Sequence, residues 1–391
     1  MRGHASALTW ALIFIPILGS VGSAQTDRLF EKVEIGDLRQ SNTPLRRIFE
    51  LPTTRGAEVV RVGVDLAKTE GVVTFEFGSV STKLKRASWR QIGDDRFSWA
   101  GTGVDSAWES GCLLVTSNSV RGSIYTQQGS FSVEPIGGGL HAITSIDAAR
   151  FPRDHATLAG APLAPPSVRR ALQLKVPEPA ASRTIIDVLV AFAKGAALAH
   201  ASEAERQAWL DDVINVTNCS YQISGINVEL RRTPSSPYLV DYSESGFTTD
   251  LRFLMTPGDG KMDEVHTVRA NDKADIVVLM VSRAYGFCGR AATTLATKEK
   301  AFAMVRVDCA KDKLTFAHEI GHLQGASHQD EEGVKEFSHG RCKDGNGTVM
   351  SSRCARRFPQ WSRPPSWGSA EKQHNARMLN ETASMISSFL P

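Results

Sequence analysis

The sequence predicts an α/β domain over residues 183–391, preceded by a separate β-rich domain over residues 25–150. Three observations carry this. From Thr184 onward, β-branched runs such as "TIIDVLVAF" and "ADIVVLMV" alternate with segments of helical spacing. Over residues 29–149 the pattern is instead short alternating runs divided by Gly, Ser and Asp. Between them "FPRDHATLAGAPLAPPSVRRALQLKVPEPAAS", residues 151–182, has the Pro- and Ala-rich composition of a linker that buries little. A chain of 391 residues is long for one core, since single cores stop growing near about 250 residues.

The elements follow in order. Residues 1–24 carry Arg2, an uncharged apolar run over 7–18 and small residues ending at Ala24, the pattern of a secretory signal peptide cleaved after Ala24. The run falls short of the roughly 20 residues a spanning helix needs, and Pro16 and Gly19 interrupt it, so no membrane insertion is expected. The mature protein is expected to be secreted or periplasmic, where disulfides persist. The β-rich domain, with "AEVVRVGVDL" and "GVVTFEFGSV", shows no evident catalytic cluster, and His141 and the later His155 lack ligand spacing and read as structural or surface residues. In the linker, Arg169-Arg170 would suit a processing protease.

After "TIIDVLVAF", Ser202 caps a helix running from Glu203 towards Ser224, with Glu205 completing a capping box and Gly225 closing the helix. "INVELRR" is a strand, "DEVHTVRAND" a short helix, and "ADIVVLMV", "CGRAATT" and "AFAMVRV" are further strands. "SAEKQHNARMLNETASMISSF" is a terminal helix with Ala376, Leu379, Ala383, Ile386 and Phe389 at helical spacing.

A formal net charge of +3 does not call for nucleic acid or an anionic membrane as partner. The six cysteines contain no CxxC pair, which speaks against a thioredoxin-like centre and a cysteine-only zinc ribbon.

The chemistry is concentrated in "TFAHEIGHLQGASHQ", residues 315–329. On a helix His318 and His322 stand one turn apart on one face, where two imidazoles can bind one ion. Glu319 is displaced far enough to reach an attacking water without ligating the metal. Gly325 can adopt the left-handed conformation that ends the helix, letting His328 return as third ligand. Three imidazoles with a fourth position open is the arrangement of a catalytic zinc ion. Each histidine alone would read as a helix or loop residue, but the five-position pattern HExxHxxGxxH arises by chance about once in ten thousand such chains.

With Met350 in "GTVMSS" downstream, these residues resemble the metzincin metallopeptidases. "TFAHEIGH", "DEVHTVRANDKADIVVLMV", "FCGRA" and "HNARMLNETA" are most similar to bacterial reprolysin-like enzymes of the peptidyl-Asp metalloendopeptidase type. The resemblance implies a mixed twisted sheet with a zinc-binding helix and a C-terminal helix, preceded by a propeptide-like domain that inhibits or chaperones it. It implies one zinc ion on His318, His322 and His328, Glu319 as general base towards a zinc-activated water, Met350 in a turn beneath the metal, and a protein or peptide substrate. A substrate strand would lie antiparallel along Gly289, Arg290 and Ala291. Arg353, Arg356, Arg357 and Arg363 fall near the wall of the pocket for the residue after the scissile bond, where one could receive an acidic side chain. Two positions depart from the family: Gln329 stands where reprolysins usually place Asp, and Ser352 where some relatives carry Tyr.

Cys342 and Cys354 bracket the Met350 turn and Cys288 and Cys309 flank the two strands before the zinc helix, so both pairs are disulfide candidates, although sequence fixes no connectivity. Cys219 reads as a buried thiol. Cys112 reads as a core residue, with a latency thiolate on the zinc as the alternative. "KDGNGT" offers oxygens to calcium but lacks alternating acidic ligands and reads as a tight turn. Two other functions remain open at this point: a secreted binding protein with a non-catalytic zinc site, and a zinc amidohydrolase acting on a non-peptide substrate. An intact Glu319 speaks against the first.

Overall fold

The computed structural model describes residues 29–34, 36, 38–65, 71–154, 162–173, 182–200, 202–282 and 286–391. The expected signal peptide and His155 lie outside the described residues.

Nine strands form an antiparallel N-terminal sheet: β1 (Phe30–Val33), β2 (Thr54–Val62), β3 (Val72–Phe77), β4 (Val80–Gly93), β5 (Arg96–Gly103), β6 (Ser110–Val115), β7 (Val120–Thr126), β8 (Gly129–Gly137) and β9 (Leu140–Ile146). Their order is β1-β2-β9-β8-β7-β6-β5-β4-β3, so from β3 to β9 each strand pairs with its chain neighbour through a short turn. Strand periodicity divides the side chains between two faces. Trp99, Leu113, Ile124 and Phe131 gather with Phe75 and Leu84 into a core of the sheet's own. Their neighbours Ala100, Cys112 and Tyr125 point the other way and join the core of the second half.

That second half is built on β10 (Thr184–Phe192), β11 (Val228–Arg232), β12 (Tyr238–Leu239), β13 (Ile276–Val281), β14 (Gly289–Ala291) and β15 (Phe302–Arg306). The order is β11-β10-β13-β15-β14, with β12 also on β10; the pairings are parallel except that β14 runs antiparallel to β15 at the edge. A parallel sheet is covered on both faces, which explains why β10 and β13 read as continuous apolar runs.

One face takes helices α2 (Phe247–Met255) and α3 (Asp263–Asn271) over Leu189, Val277 and Leu279. The other takes α1 (Glu203–Ile223), α4 (Thr315–Leu323) and α5 (Asn375–Ile386). Helix α1 starts as expected, with Ser202 Oγ accepting from Glu205 N–H at 3.2 Å, and closes at Gly225, φ +70°. It shows no clean apolar stripe because β5, β6 and β7 cover its outer side. Its buried Asn218 exchanges hydrogen bonds with the Leu230 backbone at 2.9 and 2.8 Å. Helix α5 begins at Asn375 rather than near Ser369, and α2 carries no sequence signal strong enough to separate it from the surrounding loop.

Two expectations are corrected where the halves meet. Cys219 is not a thiol, and Cys112, in the core as expected, is not available as a latency ligand: they form a disulfide, Cα–Cα 5.7 Å, joining β6 to α1. The cause is the packing of α1 on the sheet's outer face, which brings together two cysteines 107 positions apart. Residues 151–182 are also not a slack tether in their described parts. Arg153 and Asp154 bind the edge at Cys288 and Gly289, Pro162 and Ala164 bind it at Thr294, and Pro166–Gln173 is a helix. The reason is the edge itself, whose backbone donors and acceptors recruit whatever chain passes beside it.

A buried cluster completes the junction. Lys311 Nζ donates to Ser132 Oγ at 2.8 Å and to Glu134 at 2.8 Å from the N-terminal sheet, and to Asp212 of α1 at 3.1 Å. Burial alone would push the Glu134 carboxyl up, but Lys311 holds it at about 2.

Candidate active site

The helix carrying the site is shaped at both ends by left-handed residues. Leu314, φ +61°, turns the chain into α4 without a side-chain cap, and Gly325, φ +95°, ends it. Gly325 N–H donates to His322 O and Ala326 N–H to Gly321 O, the paired bonds of a Schellman stop, and the chain doubles back to His328. His318, His322 and His328 are buried and each presents one ring nitrogen within 4.8 Å of the others. The Nε2 of His328 lies 2.9 Å from that of His318 and 3.2 Å from that of His322.

The opposite ring nitrogens are all engaged: Nδ1 of His318 with Val349 O at 2.8 Å, of His322 with Ala326 O at 3.0 Å, and of His328 with Glu331 Oε1 at 2.5 Å. Acceptors there place the proton on Nδ1 and leave three Nε2 lone pairs facing one point. Lone pairs at such separations repel one another unless a cation sits between them, so the donor set fits a metal ion with nitrogen preference.

Below the helix, Met350 is buried against Gly321: a Cβ added at Gly321 would meet Met350 Sδ at 2.8 Å and the Trp361 ring at 2.6 Å. Gly321 therefore lets the Met350 turn approach between the two helix histidines. The turn is bound by the Cys342–Cys354 disulfide and the strands before α4 by Cys288–Cys309, the two pairings expected. "KDGNGT" forms a hairpin turn through Asp344, φ +52°, and Gly345, φ +76°. The two departing positions meet one another: Gln329 Nε2 donates to Ser352 Oγ at 3.2 Å, and Ser352 N–H to Gln329 Oε1 at 3.3 Å.

Glu319 faces the edge strand. A Cβ at Gly289 would lie 2.6 Å from Glu319 Oε1 and 2.7 Å from Thr315 Cγ2, so β14 approaches α4 here only as glycine. Burial, and after it the nearby Asp154 carboxylate, raises the Glu319 carboxyl well above its usual range, while Arg357, the Ala291 N–H and Arg290 oppose. Arg290 itself reaches outward to Thr248 Oγ1 at 3.3 Å.

Of the four arginines after the Met350 turn, the structure brings only Arg357 to the site. It is 4% exposed, with Nε donating to Ser351 O at 2.7 Å and one Nη to Asp154 Oδ2 at 2.5 Å. Arg353 pairs with exposed Asp330, Arg356 binds Asn346 and the Gln127 carbonyl over the Phe358 ring, and Arg363 turns to Ile223 O. In the two-residue strand Arg356–Arg357 successive side chains point to opposite sides, so neighbouring arginines part.

Sequence reasoning missed two charged residues. Lys313 precedes α4 and bonds Asp154 Oδ1 at 3.1 Å and the Pro152 carbonyl; burial lowers it and Asp154 opposes. Asp154 is one of two acids in a Pro- and Ala-rich segment, and nothing in the sequence singles it out.

A buried three-histidine donor set on a helix and the chain that doubles back after it, with a carboxylate held between that helix and a sheet edge, defines a metallohydrolase centre. Residues 182–362 match the Reprolysin_5 model, described as metallo-peptidase family M12. With the relatives that follow, this match supports a metzincin-like metallopeptidase, and the chain is a metalloendopeptidase. It is 28% identical to a peptidyl-Asp metalloendopeptidase of Stenotrophomonas maltophilia K279a over 95% of this chain and 96% of that protein. It is 28% identical to one of Xanthomonas campestris pv. campestris over the full length of both. A peptidyl-Asp metalloendopeptidase of Pseudomonas fragi is 29% identical and aligns over 99% of its own length with 44% of this chain. Among solved structures, metalloproteinase-II from Bacteroides fragilis aligns over 91% of this chain and 97% of its own, at 13% identity and a TM-score of 0.44, too slight a likeness to argue from.

Proposed function

We propose that the chain is a secreted zinc endopeptidase in which Glu319 is the general base and an acidic residue is preferred after the scissile bond. The observation that carries this reading is the convergence of three Nε2 lone pairs beside Glu319 at an edge strand. Zinc, when bound by His318, His322 and His328, supplies a Lewis acid that polarises a peptide carbonyl and acidifies water. The Val349, Ala326 and Glu331 oxygens keep the three rings fixed. Glu319 takes the proton of the attacking water and passes it to the leaving amine. The backbone of Gly289, Arg290 and Ala291 aligns the substrate as an added strand.

The acidic preference draws on the relatives' name, peptidyl-Asp metalloendopeptidase, and on buried Arg357. Secretion draws on the leader pattern and on three disulfides. Residues 25–150 act as an inhibitory domain, because the segment leaving them runs along the edge that substrate needs.

The test is Glu319→Gln set against the parent, with both chains cut in the connecting segment and carrying Cys112→Ala and Cys219→Ala so that residues 25–150 no longer cover the edge. The variant is expected to retain one zinc per chain by atomic absorption and to lose at least about a hundredfold in turnover of matched peptides carrying Asp or Leu after the bond. Full turnover in that variant would remove the mechanism, and equal rates on the two peptides the preference.

A further inference from the structure

We infer that Lys313 and Arg357 form the acid-reading subsite of the cleft, and that Asp154 of the connecting segment fills it from within, as a built-in occupant that substrate must displace. This deepens the proposed endopeptidase reading and rests on it.

The geometry is that of a subsite rather than of a bridge between surfaces. Asp154 is 7% exposed, and its two oxygens are divided between two cations, Lys313 at 3.1 Å and Arg357 at 2.5 Å, themselves 8% and 4% exposed. Arg357 is held from behind by Ser351 O at 2.7 Å and Lys313 O at 3.4 Å, so its fork is aimed before any acid arrives. Ser351 follows Met350, and Lys313 stands two residues before α4, so both cations are placed by the elements that place the metal ligands. The main chain of Asp154 is fixed as well: its carbonyl accepts from Gly289 N–H at 3.2 Å, and that of Arg153 from Cys288 N–H at 2.9 Å. Gly289 is the residue whose missing Cβ admits Glu319. An acid in this position therefore lies beside the general base, on the strand that aligns substrate.

Charge makes the subsite demanding. Without Asp154, Arg357 keeps two carbonyl partners, and Lys313 keeps the Pro152 carbonyl only while the segment stays in place. Two buried cations facing one gap call for an anion. The pinned backbone and a side chain with a single methylene set the depth, which fits aspartate better than glutamate. The segment lies parallel to the edge at Arg153 and again at Leu163, the reverse of the antiparallel sense expected of substrate. Asp154 thus offers its carboxylate correctly while its peptide bonds run backwards past Glu319.

The experiment uses the full chain, zinc-loaded, in the Glu319→Gln background so that it cannot cut itself. A fluorescent peptide with one Asp between small residues, and its Asn and Glu counterparts, are titrated by anisotropy. Asp154→Asn is expected to tighten the Asp peptide at least tenfold, with smaller gains for Asn and Glu. Adding Lys313→Met to Asp154→Asn should cut the Asp-over-Asn ratio about tenfold, with zinc content unchanged. If Asp154→Asn does not fold, Asp154→Ala gives the same readout. Unchanged affinity in both Asp154 variants overturns the internal occupant, and an Asp-over-Asn ratio indifferent to Lys313→Met overturns the subsite. With Glu319 restored, an Asp154→Asn chain that cuts peptides without regard to Asp leaves the endopeptidase reading standing and this inference refuted. The same chain, cut in the connecting segment and freed of the Cys112–Cys219 bond so that residues 25–150 no longer cover the edge, refutes the endopeptidase reading if it cuts nothing.

Discussion

Cutting the connecting segment is expected not to release the N-terminal sheet. The Cys112–Cys219 bond closes a span of 107 positions across the junction. In the chain-entropy account a loop of that length is worth about 4.7 kcal/mol at 25 °C, of which native disulfides typically deliver about 2–4. Cys112→Ala with Cys219→Ala should therefore lower unfolding free energy by about 2–4 kcal/mol in urea, followed by tryptophan emission. The larger consequence appears after a cut at an engineered protease site placed at Arg169-Arg170. The tether keeps the sheet at an effective concentration on the order of millimolar, so the cut parent remains largely covered, whereas the cut double variant gains activity by dissociation. The parent fragments should run together on a non-reducing gel and apart with reductant. Fragments that separate without reductant, or a cut double variant no more active than the cut parent, would refute the reasoning.

Two further outcomes follow from single sites. Gly289→Ala puts a carbon 2.6 Å from Glu319 Oε1 and 2.7 Å from Thr315 Cγ2; it should cost about 1–3 kcal/mol of stability and at least tenfold in kcat/KM at unchanged zinc content, and wild-type kinetics would contradict the close approach. His141 Nε2 accepts from Val120 N–H at 3.1 Å, and burial lowers its pKa from 6.5 to about 4. As pH falls the unfolded chain takes this proton first, so the contribution of His141 is complete above pH 6.5, declines through the window down to about 4 and is flat below it. The loss is about 3 kcal/mol, read as the shift in urea midpoint between pH 7.5 and 4.5, and His141→Gln should shrink that shift.

Much of the second half was legible because its signals are local. The runs in β10 and β13 report a sheet buried on both faces, and Ser202, Glu205 and Gly225 mark the ends of α1 within a turn of where they fall. What failed was contact-dependent: α2 stabilises itself against β-sheet side chains the local pattern does not name, and residues 151–154 and 162–164 gained structure only from an edge strand far along the chain.

The metal-binding chemistry was legible in the sequence by itself, because His318, Glu319 and His322 lie on one helix and the Gly325 stop returns the chain to His328 three residues later, where backbone geometry converts spacing directly into direction. It also offered Met350 for a turn beneath the helix and two candidate cysteine pairs, spanning 12 and 21 positions, whose connectivity the structure then settled. Only the tertiary structure decided which arginine turns inward, that Lys313 lies near it, that Asp154, 203 positions before Arg357, pairs with both, and that Cys112 meets Cys219. Contacts at that separation depend on how two sheets close around α1, and no local preference of the chain encodes that closure.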